Sequence, residues 1–185
     1  MSNQIIPGSL SSLSKTSGRS LAESFLSCDT VIIVDTSGSM GTQDSRGNRS
    51  RYDVACEELS KLQQTLPGKI AVLSFSDDVE FCPSGIPKNL NASTNMTKAL
   101  QFAKIADIPG MHFILISDGC PDNKETTLQV ARTYKNHIDT IFVGPESDMY
   151  GRDFLTLLSN STGGQSITVD RAKELSAGIQ KLLLA

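Results

Sequence analysis

Three short segments carry the residues best suited to chemistry. Asp35-Thr36-Ser37-Gly38-Ser39-Met40 follows the apolar run Val31-Ile32-Ile33-Val34, and Ser117-Asp118-Gly119 follows Phe113-Ile114-Leu115-Ile116. Between them, Asn91-Ala92-Ser93-Thr94-Asn95 leads into a helical pattern. Brought together, Asp35, Ser37, Ser39, Thr94 and Asp118 would offer two carboxylates and three hydroxyls, with no imidazole and no thiol. Hard oxygen donors of this kind favour Mg²⁺, Mn²⁺ or Ca²⁺ over zinc or copper. Mg²⁺ takes near-octahedral oxygens at about 2.0–2.1 Å and keeps water readily, which suits a site with few protein carboxylates. Hydroxyls in the remaining positions would leave room for water or a ligand.

The elements that must position these loops follow from hydrophobic periodicity. Residues 30–35 form a short, β-branched, continuously apolar run, as expected for a strand buried on both faces. Residues 51–66 place Val54, Leu59, Leu62 and Leu66 at near-helical spacing, start at Ser50 with Asp53 three positions on, and stop at Pro67-Gly68. A second strand is expected over 69–75. Residues 79–82 follow too closely for a helical crossover, so an antiparallel edge strand is expected there. A helix over 95–107, a buried strand over 111–117, a helix over 122–136, a strand over 138–143, a helix over 149–160, a strand over 165–169 and a helix over 171–184 complete the alternation. Strands alternating with helices imply an α/β fold: a doubly wound, mainly parallel six-stranded sheet, one antiparallel edge strand, and helices on both faces. In such sheets ligands sit beyond the carboxyl ends of the strands where strand order reverses. That rule points to the loops after Val34, Phe75 and Ile116.

The rest of the chain narrows the function classes. At 185 residues it fits one domain with a sizeable core. A net charge of −3 supplies no global field for nucleic acid or an anionic membrane, and no basic track with interleaved aromatics is present. No apolar stretch approaches the roughly 20 residues that span a bilayer. The N-terminus lacks a basic segment followed by an apolar one, so no signal peptide and a cytoplasmic location are expected. Cys28, Cys56, Cys82 and Cys120 are widely spaced without a C-x-x-C pair, which reads as four reduced structural thiols. Residues 1–28 read as a Ser-rich N-terminal arm, flexible or loosely docked over its first 20 residues, with a short helix over 19–27. Residues 29–185 read as the domain.

The segments DTSGSM, STNM and ILISDG together resemble von Willebrand factor A domains, whose D-x-S-x-S motif forms a metal-ion-dependent adhesion site. D-x-S-x-S alone is a weak pattern; its place after VIIV, with the threonine loop and the SDG loop in the family's order, makes it specific. The resemblance covers nearly everything after the arm and implies a Rossmann-like von Willebrand factor A fold. It implies direct metal contacts from Ser37 and Ser39, a direct or water-mediated contact from Thr94, and bridging waters at Asp35 and Asp118. It also implies that the open metal position takes a carboxylate from a partner protein, and that the chain is an interaction module without enzymatic activity. Many intracellular members act with AAA-type ATPases, so a partner of that kind is an expectation. Asn91-Ala92-Ser93 stands where the family often has Gly-Gly, which implies a stiffer Thr94 loop.

Competing readings attach to several of these residues. Asp35 could be the nucleophile of a Mg²⁺-dependent phosphatase, although that chemistry wants a second acid where Ser37 stands and a lysine partner that is not evident. A purely structural metal, with binding through the termini, is the other alternative. Arg46, Arg49 and Arg51 read as a solvated polar loop in preference to a patch that attracts an acidic partner. His112 and His137 fall at the far ends of their strands, which leaves a Ser-His-Asp hydrolase unsupported. Cys120 reads as structural or incidental. Met149, Tyr150 and Phe154 read as core packing on a helix, as does the apolar end of the last one.

Overall fold

Six strands form a single sheet in the order β3-β2-β1-β4-β5-β6. The computed structural model describes residues 4–89, 92–119, 121–145 and 147–184. The strands are β1 (Thr30–Asp35), β2 (Ile70–Phe75), β3 (Val79–Phe81), β4 (His112–Ser117), β5 (Ile138–Phe142) and β6 (Ser166–Thr168). All neighbours run parallel except β3, which pairs antiparallel with β2 at the edge, Phe75 opposite Val79 and Leu73 opposite Phe81. Only three residues separate β2 from β3, which admits a hairpin and no crossover. This is the sheet expected from the sequence, antiparallel edge included.

The helices are α1 (Leu10–Ser17), α2 (Leu21–Phe25), α3 (Arg51–Thr65), α4 (Met96–Ala103), α5 (Lys124–Ala131), α6 (Met149–Thr162) and α7 (Leu175–Leu183). They divide between the two faces by the strand period of two. Val31, Ile33, Phe113 and Leu115 face one way, into a core closed by Met96 and Leu100 of α4 and by Phe154, Leu155 and Leu158 of α6. Ile32, Val34, Ile114 and Ile116 face the other way, against Val54, Leu59 and Leu62 of α3 and Leu175, Ile179 and Leu182 of α7. Because β1 and β4 are buried on both sides, their sequences are continuously apolar rather than alternating.

Several boundaries fall inside the expected ranges. The helix expected over 95–107 ends as an α-helix at Ala103 and tightens to a 3-10 turn at Lys104–Ala106. The helix expected over 122–136 spans Lys124–Ala131: Asn123 caps its start by accepting from the Thr126 N–H, and past Ala131 the Thr133 and Tyr134 N–H groups turn to the Val130 and Ala131 carbonyls. Ser50 caps α3 by accepting from the Asp53 N–H, the arrangement read from the sequence. Residues 4–28 carry α1 and α2, with Leu10 and Phe25 packed against the first core. Among the described residues no helix is long and apolar enough to cross a membrane.

Candidate metal centre

The strand order reverses between β1 and β4, and the adjacent carboxyl ends of those two strands carry the candidate residues. Val34 lies beside Ile116 in the register, so Asp35 ends one strand where Ser117 ends its neighbour. The Ser117 hydroxyl donates to Asp35 Oδ2 at 2.5 Å. The Ser37 N–H folds back to Asp35 Oδ1 at 2.8 Å, fixing the first bend of the loop. Thr36 points away from the site and donates to the Phe75 carbonyl at 3.0 Å, tying the loop to the end of β2.

From there a chain of polar contacts crosses the site. Residues Gly38–Gly41 form a 3-10 turn, which brings Ser39 Oγ to 3.2 Å from Ser37 Oγ. Ser39 then donates to Asp118 Oδ1 at 2.8 Å. Asp35, Ser37 and Asp118 are buried, at 0%, 3% and 3% exposure, while Ser39 faces outward. Burial pushes the Asp35 carboxyl up to about 6; hydrogen bonds from Ser117 and Ser37 pull against this, and the nearby Asp118 charge adds to the push.

Thr94 joins through its backbone. The Gly38 N–H donates to the Ala92 carbonyl at 3.1 Å, which seats the 92–95 segment against the first loop. Asp122 holds the other side: it accepts from the Thr94 N–H at 3.3 Å and the Ser93 hydroxyl at 3.0 Å, and its own N–H donates to the Thr94 carbonyl at 3.1 Å. The structure thus unites Asp35, Ser37, Ser39 and Asp118 by side-chain contact and places the half-buried Thr94 at their rim. The start of α6 closes in as well. A methyl group added at Gly151 would lie 3.3 Å from the Gly119 Cα and 3.1 Å from the Phe142 ring, so glycine there permits the approach.

Two expectations change. Arg46 and Arg49 do form a solvated surface cluster, pairing with Glu57 at 2.7 and 2.5 Å. Arg51 does not: it is 8% exposed, and its Nη1 donates to Asp118 Oδ2 at 2.6 Å. Its Nε and Nη2 donate to the two oxygens of Asp44 at 3.0 and 2.8 Å. As the first residue of α3, Arg51 points back toward the loop that precedes it, a direction that loop composition conceals. Met149 and Tyr150 are exposed rather than core, at the first turn of α6, while Phe154 is buried as expected. Ser117, Arg51, Asp44 and Asp122 are the site residues that sequence reading overlooked or set aside. Ser117 left a trace in its place beside Asp118, and Arg51 in its closeness to the D-x-S-x-S segment.

His112 and His137 stack edge to face at 6.0 Å at the opposite end of the sheet. Cys28, Cys56 and Cys82 are free thiols, and Cys120 lies outside the described residues. Among the described residues, no three His, Cys, Asp or Glu side chains converge in a way that would hold a metal. Any cation here therefore depends on the hydroxyls of Ser37, Ser39 and Thr94 beside two carboxylates. That donor set fits Mg²⁺ or Mn²⁺ with retained waters and does not fit zinc.

No protein-family model matches the chain, and no curated protein matches it in sequence. Solved structures do share its fold. An aerotolerance-related membrane protein from Bacteroides fragilis superposes with a TM-score of 0.66 at 16% identity, over 85% of this chain and 98% of that one. A von Willebrand factor type A protein from Catenulispora acidiphila gives 0.62 at 16% identity, over 82% of this chain and 41% of that one. The manganese-loaded TRAP protein of Plasmodium vivax gives 0.53 at 15% identity, over 84% of this chain and 73% of that one. The chain has the von Willebrand factor A fold.

Proposed function

We propose that this chain is a metal-ion-dependent protein-binding module, holding Mg²⁺ or Mn²⁺ with Asp35, Ser37, Ser39, Thr94 and Asp118 and presenting it to a partner's Asp or Glu side chain. The observation that carries the reading is Asp35: a fully buried carboxylate beside a second one at the sheet's switch point, with no ion pair to it among the described residues. A buried, unpaired carboxylate is costly, and a divalent cation is the natural remedy. The bound ion would act as an electrostatic anchor for an incoming carboxylate. This chain's residues orient it: Ser117 and the Ser37 N–H fix Asp35, Ser39 and Arg51 fix Asp118, and Asp122 fixes the Thr94 loop.

A phosphatase reading fares worse on the same geometry. Both oxygens of Asp35 are engaged and the residue has no exposure, the reverse of what an attacking nucleophile needs. The manganese-loaded Plasmodium vivax protein supports metal binding on this fold and lends nothing to catalysis. An AAA-type ATPase with an exposed acidic residue is the partner class to screen first.

Isothermal titration of the purified chain with Mn²⁺ and Mg²⁺ is the direct test. The wild type should take up metal and Asp35→Ala should not, and partner capture should vanish in EDTA and return with excess Mg²⁺. Wild-type protein that shows no heat with either ion, or EDTA-insensitive capture unaffected by Asp35→Ala, sinks the reading.

A further inference from the structure

Arg51 places a fixed positive charge inside a site suited to a cation. Asp118 is shared, one oxygen taking the Ser39 hydroxyl and the other the Arg51 guanidinium at 2.6 Å. Asp35, Asp118 and Arg51 are all nearly excluded from water, and their formal charges sum to −1. A divalent cation turns that shell to +1. Asp44 compensates only in part, because it sits across the guanidinium from Asp118 and its side chain is 29% exposed, where water screens it. Excess positive charge in a buried shell repels the metal and is relieved when one anion enters.

Resting on the metal-binding reading above, we propose that Arg51 is the specificity-determining residue of the site: it loosens the hold on the metal and makes the loaded site demand a negatively charged ligand over a neutral carbonyl or water. Without Arg51 the two aspartates alone would neutralise the ion, and only the metal's own affinity for anionic oxygen would favour an anion at the open position. With Arg51 the shell is one negative charge short, and a partner carboxylate supplies it.

Opposite signs in two readouts separate this role from that of a structural prop. Calorimetric Mn²⁺ titrations of the full chain would be run alone, with acetate, and with acetamide as the neutral isostere. In wild type, acetate should tighten Mn²⁺ binding and acetamide should not. Arg51→Met should bind Mn²⁺ about tenfold more tightly, the size of effect that one charge a few ångströms away exerts on an ionic equilibrium. The same variant should show a smaller acetate effect. Arg51→Lys, which keeps the charge, should stay nearer to wild type than to Arg51→Met in both readouts. Asp44→Asn keeps Arg51 and removes part of its compensation, so it should move the other way: weaker Mn²⁺ binding and a larger acetate effect.

A prop that merely holds Asp118 predicts weaker Mn²⁺ binding in Arg51→Met. That result, or an acetate effect of wild-type size in the variant, overturns the proposal. Should Arg51→Met fail to fold, Asp44→Asn decides, and Mn²⁺ binding at least as tight as wild type rejects it. Wild-type protein that binds no Mn²⁺ removes the metal reading and this proposal together, whereas wild-type binding with failure of the variant arms removes this proposal alone.

Discussion

Asp35 ends a strand buried on both faces, and its carboxylate meets hydroxyl and amide donors but no cation among the described residues. Desolvation therefore falls on the metal-free protein. Asp35→Asn keeps the shape and an acceptor for the Ser37 N–H while removing the charge. In EDTA at neutral pH this variant should be more stable than wild type by on the order of 1–2 kcal/mol, or about 2–8 °C in Tm for a chain of this size. Added Mg²⁺ should raise the wild-type Tm and leave the variant's unchanged. Differential scanning fluorimetry with and without Mg²⁺ reads both effects, and a variant less stable than wild type in EDTA contradicts the account. At this scale the sequence was legible where residues are near neighbours: Asp35, Ser37 and Ser39 lie together, and Asp118 directly follows a strand of the same type. It was opaque where partners come from afar. Ser117 reaches Asp35 across 82 residues and Arg51 reaches Asp118 across 67, and neither pairing leaves a local pattern.

The strands and helices were readable because their periods differ and their caps are chemical. The SDG loop stands at the end of β4 because four successive apolar pairs fix that strand's register against β1. The helix ends were less legible, since a polar side chain elsewhere can stop a helix that propensity would continue. Asp107 is one such control point at the opposite end of the sheet. It accepts from the Lys135 N–H at 2.7 Å, the Asn136 N–H at 3.1 Å and the Asn136 side chain at 2.8 Å, holding the turn between α5 and β5. Burial pushes its carboxyl up, but these donors outweigh burial and hold it below the ordinary value of 3.8. A depressed carboxyl contributes stability that is complete above its unfolded pKa and is lost as pH falls through the folded one. Asp107→Ala should thus cost about 1–3 kcal/mol at pH 5 and above, with the gap to wild type closing as pH drops below about 4. Urea melts at several pH values measure this. Mn²⁺ affinity should be unaffected, and a constant gap down to pH 2 would show that the contribution is packing rather than charge.

For the molecule as a whole, the alternation of strands and helices was enough to give the sheet, its antiparallel edge and the layers on both faces. The Ser-rich N-terminal segment was not, because the apolar residues that dock, Ile6, Leu10 and Phe25 among them, show no period that announces where they do so. In the structure they meet the region of the edge strand. The Ile6 N–H donates to the Ser84 carbonyl at 3.0 Å and the Ser11 N–H to the Pro83 carbonyl at 2.8 Å, while Phe25 stacks edge to face on Phe81 at 5.8 Å. Gly8 has φ +83°, and a methyl group there would lie 2.1 Å from the Gln63 carbonyl oxygen, so the backbones meet too closely for any side chain. These contacts brace the edge that β3 would otherwise expose. A substitution in this segment can cost no more than its docking free energy, because beyond that the segment detaches while the sheet stays folded. Gly8→Ala and Leu10→Ala should each lower Tm, by up to about 2–5 kcal/mol equivalent for the buried leucine, and the double variant should fall no further than deletion of residues 1–18. Convergence of the double variant and the deletion on one Tm, with wild-type Mn²⁺ affinity throughout, is the signature of a strap that stabilises the sheet edge without touching the metal site. Silent single variants would mean that the segment is loosely held in solution, and a loss of Mn²⁺ binding on deletion would place it in the binding function itself.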